Sequence, residues 1–299
     1  MKIRCVLTII TMMAILSGSA GPSLAQIALP SYEEGNSWVY SASMTHSPGF
    51  VLDGTLDMEI TGTETVYVES TPYSTLRNEI VGNGTFIGVY EGFNASGNWT
   101  MVRLEYWDLA SFEIVRSETS LVLQGLVDMG LPLNFRLSVQ NTTQSDVIQD
   151  SWQHPYDVGE SGDVTLARTS NESTTVLISG GPPLHNSTNW SGSVAVTYSC
   201  IEYADVTVPA GTFQTHRIQR TESNGLVEDN YYSEEVGAGV DIEWRIGTIT
   251  IGEWELLSYS YSPAQSSEDG GLPLIYWLIP VTLVIVVILA ALYVERRRK

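Results

Sequence analysis

The sequence predicts an all-β protein: two tandem antiparallel half-barrel or sandwich-like modules, followed by one C-terminal transmembrane helix. Three observations predict it. Apolar residues alternate with polar ones in many short runs, such as Leu56-Met58-Ile60, Val102-Leu104-Tyr106, Val194-Val196-Tyr198 and Leu257-Tyr259-Tyr261, and period-two alternation marks strands with one buried face. Gly, Asn, Ser and Pro clusters separate the runs, as at Gly82-Asn83-Gly84 and Ser223-Asn224-Gly225. An uncharged stretch, Leu272 to Val294, then ends against Glu295 and Arg296-Arg297-Arg298-Lys299.

Residues 1–25 read as a secretory signal peptide. Lys2 and Arg4 precede an apolar run from Cys5 to Leu16, and Ser23-Leu24-Ala25 supplies a small-x-small site. Cleavage is expected between Ala25 and Gln26. The run is too short to cross a bilayer.

Residues 26–261 form the expected extracellular β ectodomain. Two stretches resemble each other. Tyr32-Glu33-Glu34-Gly35 parallels Tyr156-Asp157-Val158-Gly159, and Val66-x-Val68 with Tyr73-x-Thr75-x-Arg77 parallels Val206-x-Val208 with Phe213-x-Thr215-x-Arg217. Each copy then reaches an aromatic pair, Tyr106-Trp107 or Tyr231-Tyr232. A duplication predicts modules at 32–140 and 156–261, joined by the polar segment Asn141 to Gln153. Leu121 to Leu133 alone hints at a short helix, limited by Pro132.

Asn-x-Ser/Thr sequons stand at Asn83, Asn94, Asn98, Asn141, Asn171, Asn186 and Asn189, and their common side of the membrane makes them glycosylation candidates. Asn83 and Asn94 are expected in turns. Residues 262–271 read as a flexible stalk. At ~1.5 Å per residue, 272–294 makes a helix of about 35 Å, enough for a hydrocarbon core of ~30 Å. The cationic tail, 295–299, then stays cytoplasmic and stops the anchor at Arg296, Arg297, Arg298 and Lys299. The expected localisation is the cell membrane, single-pass, with the ectodomain outside.

The ectodomain contains no lysine. Its eight arginines face 33 acids, a net charge near −25. Such a surface repels nucleic acid and anionic lipid. Cys200 is alone once Cys5 leaves with the signal peptide, so no intrachain disulfide forms, and its alternating context points it into a core. The acidic, lysine-free ectodomain, the sequons and the absence of a lipidation cysteine together suggest an archaeal cell surface.

The chemistry-bearing residues do not assemble into a motif. His46, His154, His185 and His216 are scattered without metal-ligand spacing. No G-x-S-x-G elbow and no phosphate-binding G-x-x-x-x-G-K-[ST] loop occurs. The acid pairs Glu33-Glu34, Glu228-Asp229 and Glu234-Glu235 place neighbouring carboxylates on opposite faces of a strand, the wrong geometry for glycosidase work. No catalytic, cofactor-binding or metal-binding residue is assigned, and no cofactor is expected. The tryptophans fit sandwich cores better than a ligand groove.

Val206-Thr207-Val208-Pro209-Ala210-Gly211-Thr212-Phe213, Tyr231-Tyr232-Ser233, Val236-Gly237 and Glu255-Leu256-Leu257-Ser258-Tyr259 together resemble the pattern of TapB-like extracytoplasmic β proteins. That family is thought to be similar to the half-barrels of lipoprotein carriers. The resemblance covers about 60 residues of the second module; the first copy reads Glu69-Ser70-Thr71-Pro72 in place of Pro-Ala-Gly. It implies a sheet curved around an apolar face that holds a lipid or meets another envelope protein, and it carries no catalytic residues. The expectation is a non-enzymatic, membrane-anchored surface protein that binds an envelope component or apolar ligand. A structural glycosylated envelope protein and an extracellular hydrolase are the alternatives.

Overall fold

The computed structural model describes residues 30–46, 49–151 and 157–262. The expected signal peptide, cleavage site, 272–294 span and basic tail, with Trp152 and His154, lie outside the described residues. Twelve strands follow one another: β1 Ser37–His46, β2 Phe50–Val68, β3 Thr71–Tyr90, β4 Phe93–Asp108, β5 Ile114–Asp128, β6 Pro132–Asp150, β7 Ser161–Ile178, β8 Leu184–Val208, β9 Gly211–Glu222, β10 Leu226–Ser233, β11 Ala238–Ile246 and β12 Ile249–Ser260. Each pairs antiparallel with its neighbour in sequence, and β1 pairs with β12, with Ser37 opposite Ser260 and Trp38 opposite Tyr259. One closed barrel results.

This corrects the two-module expectation. The 141–153 segment is not a linker: most of it is the second half of β6, paired to β7 from Asn141 opposite Glu172 onward. The helix expected over 121–133 is instead the end of β5, a turn and the start of β6. Leu121, Leu123 and Val127 face inward at strand spacing, and alternation of that kind buries one side of a strand, not of a helix. No helix among the described residues is long and apolar enough to cross a membrane.

The repeated sequences nevertheless fold alike. Gly35 N–H donates to the Ile60 carbonyl and Ile60 N–H to that of Asn36, as Gly159 donates to Cys200 and Cys200 to Glu160. The buried Thr75 hydroxyl donates to the Glu64 carbonyl at 2.9 Å, as Thr215 does to Ala204 at 2.9 Å. Arg77 lies opposite Tyr106 in the ladder, and Arg217 opposite Tyr231. Two similar runs of six strands therefore close on each other instead of standing apart.

Alternation decides which face is inside. On β2, Leu52, Leu56, Met58 and Ile60 are buried while Asp53, Thr55, Asp57 and Glu59 are exposed. That is the reverse of a lipid-facing barrel wall, which is apolar outside. The interior is occupied by the protein's own rings. Phe50, Phe86 and Phe135 lie 5.4–6.2 Å apart by centroid, and Tyr90 stands 5.3 Å from Phe135. At the end where the chain enters, the β10–β11 turn folds inward: Trp38 Nε1 donates to the Val236 carbonyl at 2.8 Å and Tyr40 Oη to that of Gly239 at 2.9 Å.

Closing so long a sheet requires local sharp curvature, which glycine permits on the inner face. Gly54 pairs with Gly84, and Gly97 with Gly125. A Cβ on Gly125 would lie 2.0 Å from the Ser96 carbonyl oxygen. Gly125→Ala should therefore cost about 3 kcal/mol, the upper range for an overpacked site. Gly181→Ala, whose Cβ would meet nothing nearer than 3.5 Å, should stay within about 0.5 kcal/mol of the parent. Denaturant melts of both variants check this.

Candidate functional site

The inner wall is not wholly apolar. Across β8, β9, β10 and β11, one row of laterally paired residues reads Tyr198, Arg220, Glu228 and Trp244. Around it stand three guanidiniums and four carboxylates, of which Glu222 and Glu105 form ion pairs. Arg220 Nη2 lies 2.7 Å from Glu222, and Arg168 Nη1 donates to both Glu222 oxygens at 3.0 and 3.1 Å. Arg220 Nε donates to Tyr198 Oη at 3.1 Å, and that hydroxyl donates to Glu113 in the β4–β5 turn. Trp244 Nε1 donates to Glu228 at 3.0 Å. Nearby, Arg103 lies 2.7 Å from Glu105, which also accepts from Trp107 Nε1 at 2.9 Å.

These environments push the carboxyls apart. Burial raises Glu113 and Glu228, and the Arg220 charge offsets only part of it. Burial would raise Glu222 too, but Arg220 and Arg168 together hold it below the usual carboxylate range. Burial works against the Arg220 charge, yet Tyr198, Glu228, Glu222 and Glu113 keep it more firmly protonated than a free arginine. The arrangement can store a proton on Glu113 or Glu228 beside a fixed cation. Both acids are already engaged by side chains of the wall, which makes the ladder a satisfied interior network of the kind that fixes a single packing.

On the outer wall Asp229 accepts from Arg217 Nε at 3.0 Å and Gln219 at 2.9 Å, with Arg245 at 2.5 Å. Glu228 faces in and Asp229 faces out, so this acid pair is split across the strand. A second outer row sets Asp241 opposite Glu255 and Glu243 opposite Glu253. Burial, then the charges of Glu253, Glu255 and Glu243, push Asp241 up to about 6.

The histidines are separate. His46 ends β1, with burial lowering its ring; His185 bonds Thr175 at 2.9 Å; His216 is buried with its ring 4.9 Å from Tyr203. Cys200 is buried among Val164, Leu166, Val194 and Val196. Among the described residues no group of three or more His, Cys, Asp or Glu could hold a metal. Trp38 and Trp99 are fully buried, Trp107 and Trp254 pack on the core, and Trp190 is exposed.

Asn83, Asn94, Asn98, Asn171, Asn186 and Asn189 are exposed, whereas Asn141 is half-buried and accepts from Thr143 and Ser170. Asn83 stands within β3 and Asn94 within β4, neither in a turn: Asn94 lies opposite Val89 in the ladder, and Gly82 beside Asn83 packs beneath Leu56 and Trp99. A shallow groove of about 490 Å³ lies on the outer wall beside Asn98, Gln124 and Asn134.

Sequence reading missed the ladder. Its members come from β4, from β7 through β11 and from the β4–β5 turn, but one signal was present. Arg103-x-Glu105, Arg116-x-Glu118 and Arg220-x-Glu222 put opposite charges on one strand face, and all three form ion pairs.

No protein-family model and no curated protein matches the chain. Among solved structures, the chain is similar to a beta-barrel-like protein of a domain of unknown function, DUF1849, from Brucella abortus. The TM-score is 0.37 and the identity 10%, over 79% of this chain and 100% of that one. A likeness this distant says nothing of function.

The shifts fix the pH response. Glu222 and Asp229 have folded pKa values below their unfolded ones, so their contribution is full above the unfolded carboxylate range and lost as pH falls through the folded values. Glu113, Glu228 and Asp241 run the other way, binding protons more tightly when folded, so acidification stabilises through them. Stability should rise from about pH 8 towards pH 5 and fall below about pH 4. Glu228→Gln and Asp241→Asn should each melt higher than the parent at pH 8, and the gap should narrow with acidification and close only near pH 4, where the unfolded carboxylates also take up protons. Melts across pH test this, and an unchanged pH profile in both variants would contradict it.

Proposed function

We propose that the protein is a membrane-tethered, extracytoplasmic, non-enzymatic barrel that binds another envelope protein through one end. The observation carrying this reading is where exposed apolar side chains fall. Ser37 and Ser260 pair, so the chain enters and leaves the barrel at one end. The hairpins of the opposite end expose Phe93, Met129, Leu131, Leu184, Ile246 and Ile249, with Leu131 at 72% and Ile249 at 68%. Apolar residues on several neighbouring hairpin tips mark an interaction surface better than singly scattered ones do.

The rest of the chain supports the same reading. The uncharged 272–294 run followed by a cationic tail suits a span with the barrel outside, and an acidic outer wall suits salty surroundings without recruiting nucleic acid. β12 finishes at Ser260, at the end of the barrel opposite the apolar tips. The ring-filled interior favours a partner at the tips over an apolar ligand in the lumen.

Full-length protein should stay in vesicles through an alkaline carbonate wash, and protease added to intact cells should remove the barrel. A photo-crosslinking residue at Leu131 should yield a discrete adduct with a second protein in intact cells, and one at Asp57 on the mid-wall should not. Release by carbonate would overturn the tether. Equal adducts from both positions, or none, would overturn the apolar end as the binding surface.

A further inference from the structure

We infer that two copies of the chain join through the upper edge of β8 to form a two-fold dimer, a conclusion that does not depend on the envelope partner proposed above. β8 is the longest strand, Leu184–Val208, but β9 covers only Val196 to Val208 of it. From Leu184 to Ala195 no strand among the described residues pairs with its second edge. Which residues face that edge follows from the hydrogen bonds at its limits. Ala195 turns its backbone to the β9 side, its N–H donating to Ser223 Oγ and its carbonyl accepting from Ser223 N–H at 2.8 Å. Cys200 exchanges both of its bonds on the β7 side. Direction alternates along a strand, and the β7–β8 register runs without a shift. His185, Ser187, Asn189, Ser191 and Ser193 therefore point their N–H and C=O groups at the open edge.

The two halves of the barrel show that a strand belongs there. Ile60 and Cys200 hold equivalent places, each with the reciprocal bonds described above and a register shift just beyond. In the first half, β3 continues along the corresponding edge of β2, pairing Asn83 to Gly88 with Thr55 to Phe50. In the second half β9 ends at Glu222 and the matching stretch of β8 stays bare.

Charge names the occupant. The chain carries a net charge of −20, yet from Ser173 to Ile201 it has no Asp, Glu, Lys or Arg. Proteins guard open edges with charge, proline or bulges, and β8 from Leu184 to Ala195 has none of these. The lower edge of β2, also uncovered by β1, carries both a bulge and Glu64. Two copies of so acidic a chain repel almost everywhere else, and this neutral edge is where they can approach. Antiparallel pairing of β8 with itself is isologous. An axis near Asn189 would set the two exposed Trp190 rings diagonally on one face.

Proline at an edge-facing position removes a donor from the intermolecular ladder and leaves the β7–β8 bonds intact. Full-length Ser191→Pro and Ser191→Ala in a mild detergent, with polypeptide mass measured by light scattering, test the inference. Both variants abolish the Asn189 sequon, so loss of a glycan cannot separate them. Ser191→Ala should remain a dimer like the parent, and Ser191→Pro should dissociate at least tenfold more readily. Equal behaviour of the two variants, or a monomeric parent, would overturn the inference. So would an intact mass showing every chain glycosylated at Asn186 or Asn189, because the glycan would occupy the edge. Should Ser191→Pro not fold, amide exchange of the parent decides: Ser187, Asn189 and Ser193 must gain protection as protein concentration rises, and constant fast exchange would refute pairing.

Discussion

Everything in this molecule depends on the seam between β1 and β12. Their residues are more than 200 positions apart, yet Ser37 to Met44 pair with Ser260 to Gly252. Without that ladder β1 and β12 would be two bare edges, and the rings they carry inward, Trp38, Tyr40 and Trp254, would face water. Loop-closure entropy opposes so long-range a pairing, though it grows only slowly with length. The rows that close it are apolar, and the inward β10–β11 turn holds β1 through Trp38 and Tyr40.

Closure also explains why the interior holds charge. Where the rings of Phe50, Phe86 and Phe135 do not reach, arginine side chains meet Glu222 and Glu105 directly and Glu113 through the Tyr198 hydroxyl. Such a network is weak evidence for stability, since desolvation consumes much of the Coulombic gain. Its value lies in register. A one-residue slip of β9 would turn Arg220 and Glu222 to solvent and bring Gln219 and Thr221 inside, leaving Glu113 and Glu228 without their cation.

Much of the wall was legible in the sequence, because each alternating run needs only local information. The runs at Leu56, Val102, Val194 and Leu257 are all strands. Cys200 is buried as its context implied, and the two matched segments fold into equivalent hairpins. Closure was not legible: no residue near Trp38 carries a mark of Tyr259. The second half of β6 was read as a linker because its inner positions, Asn141, Thr143 and Ser145, are polar. They face the charged ladder, so the hydrophobic alternation that announces a strand is missing where the strand continues. The 121–133 stretch misled for the opposite reason, since apolar residues on both faces of β5 blur the period. The ladder stayed hidden because its members are dispersed, although the Arg-x-Glu spacing was there to be read.

The most direct test of the single closed barrel is a short thiol cross-link across its seam. Ser41 and Glu255 are lateral partners, and directly opposite Cβ atoms stand about 5 Å apart. With Cys5 and Cys200 replaced by alanine, the Ser41→Cys, Glu255→Cys double variant should be bridged within one chain by dibromobimane and become fluorescent under native conditions, and the bridge should fail to form in denaturant. Two free thiols and no fluorescence in the folded protein would mean that β1 and β12 do not meet, and the barrel would have to be reopened into separate sheets.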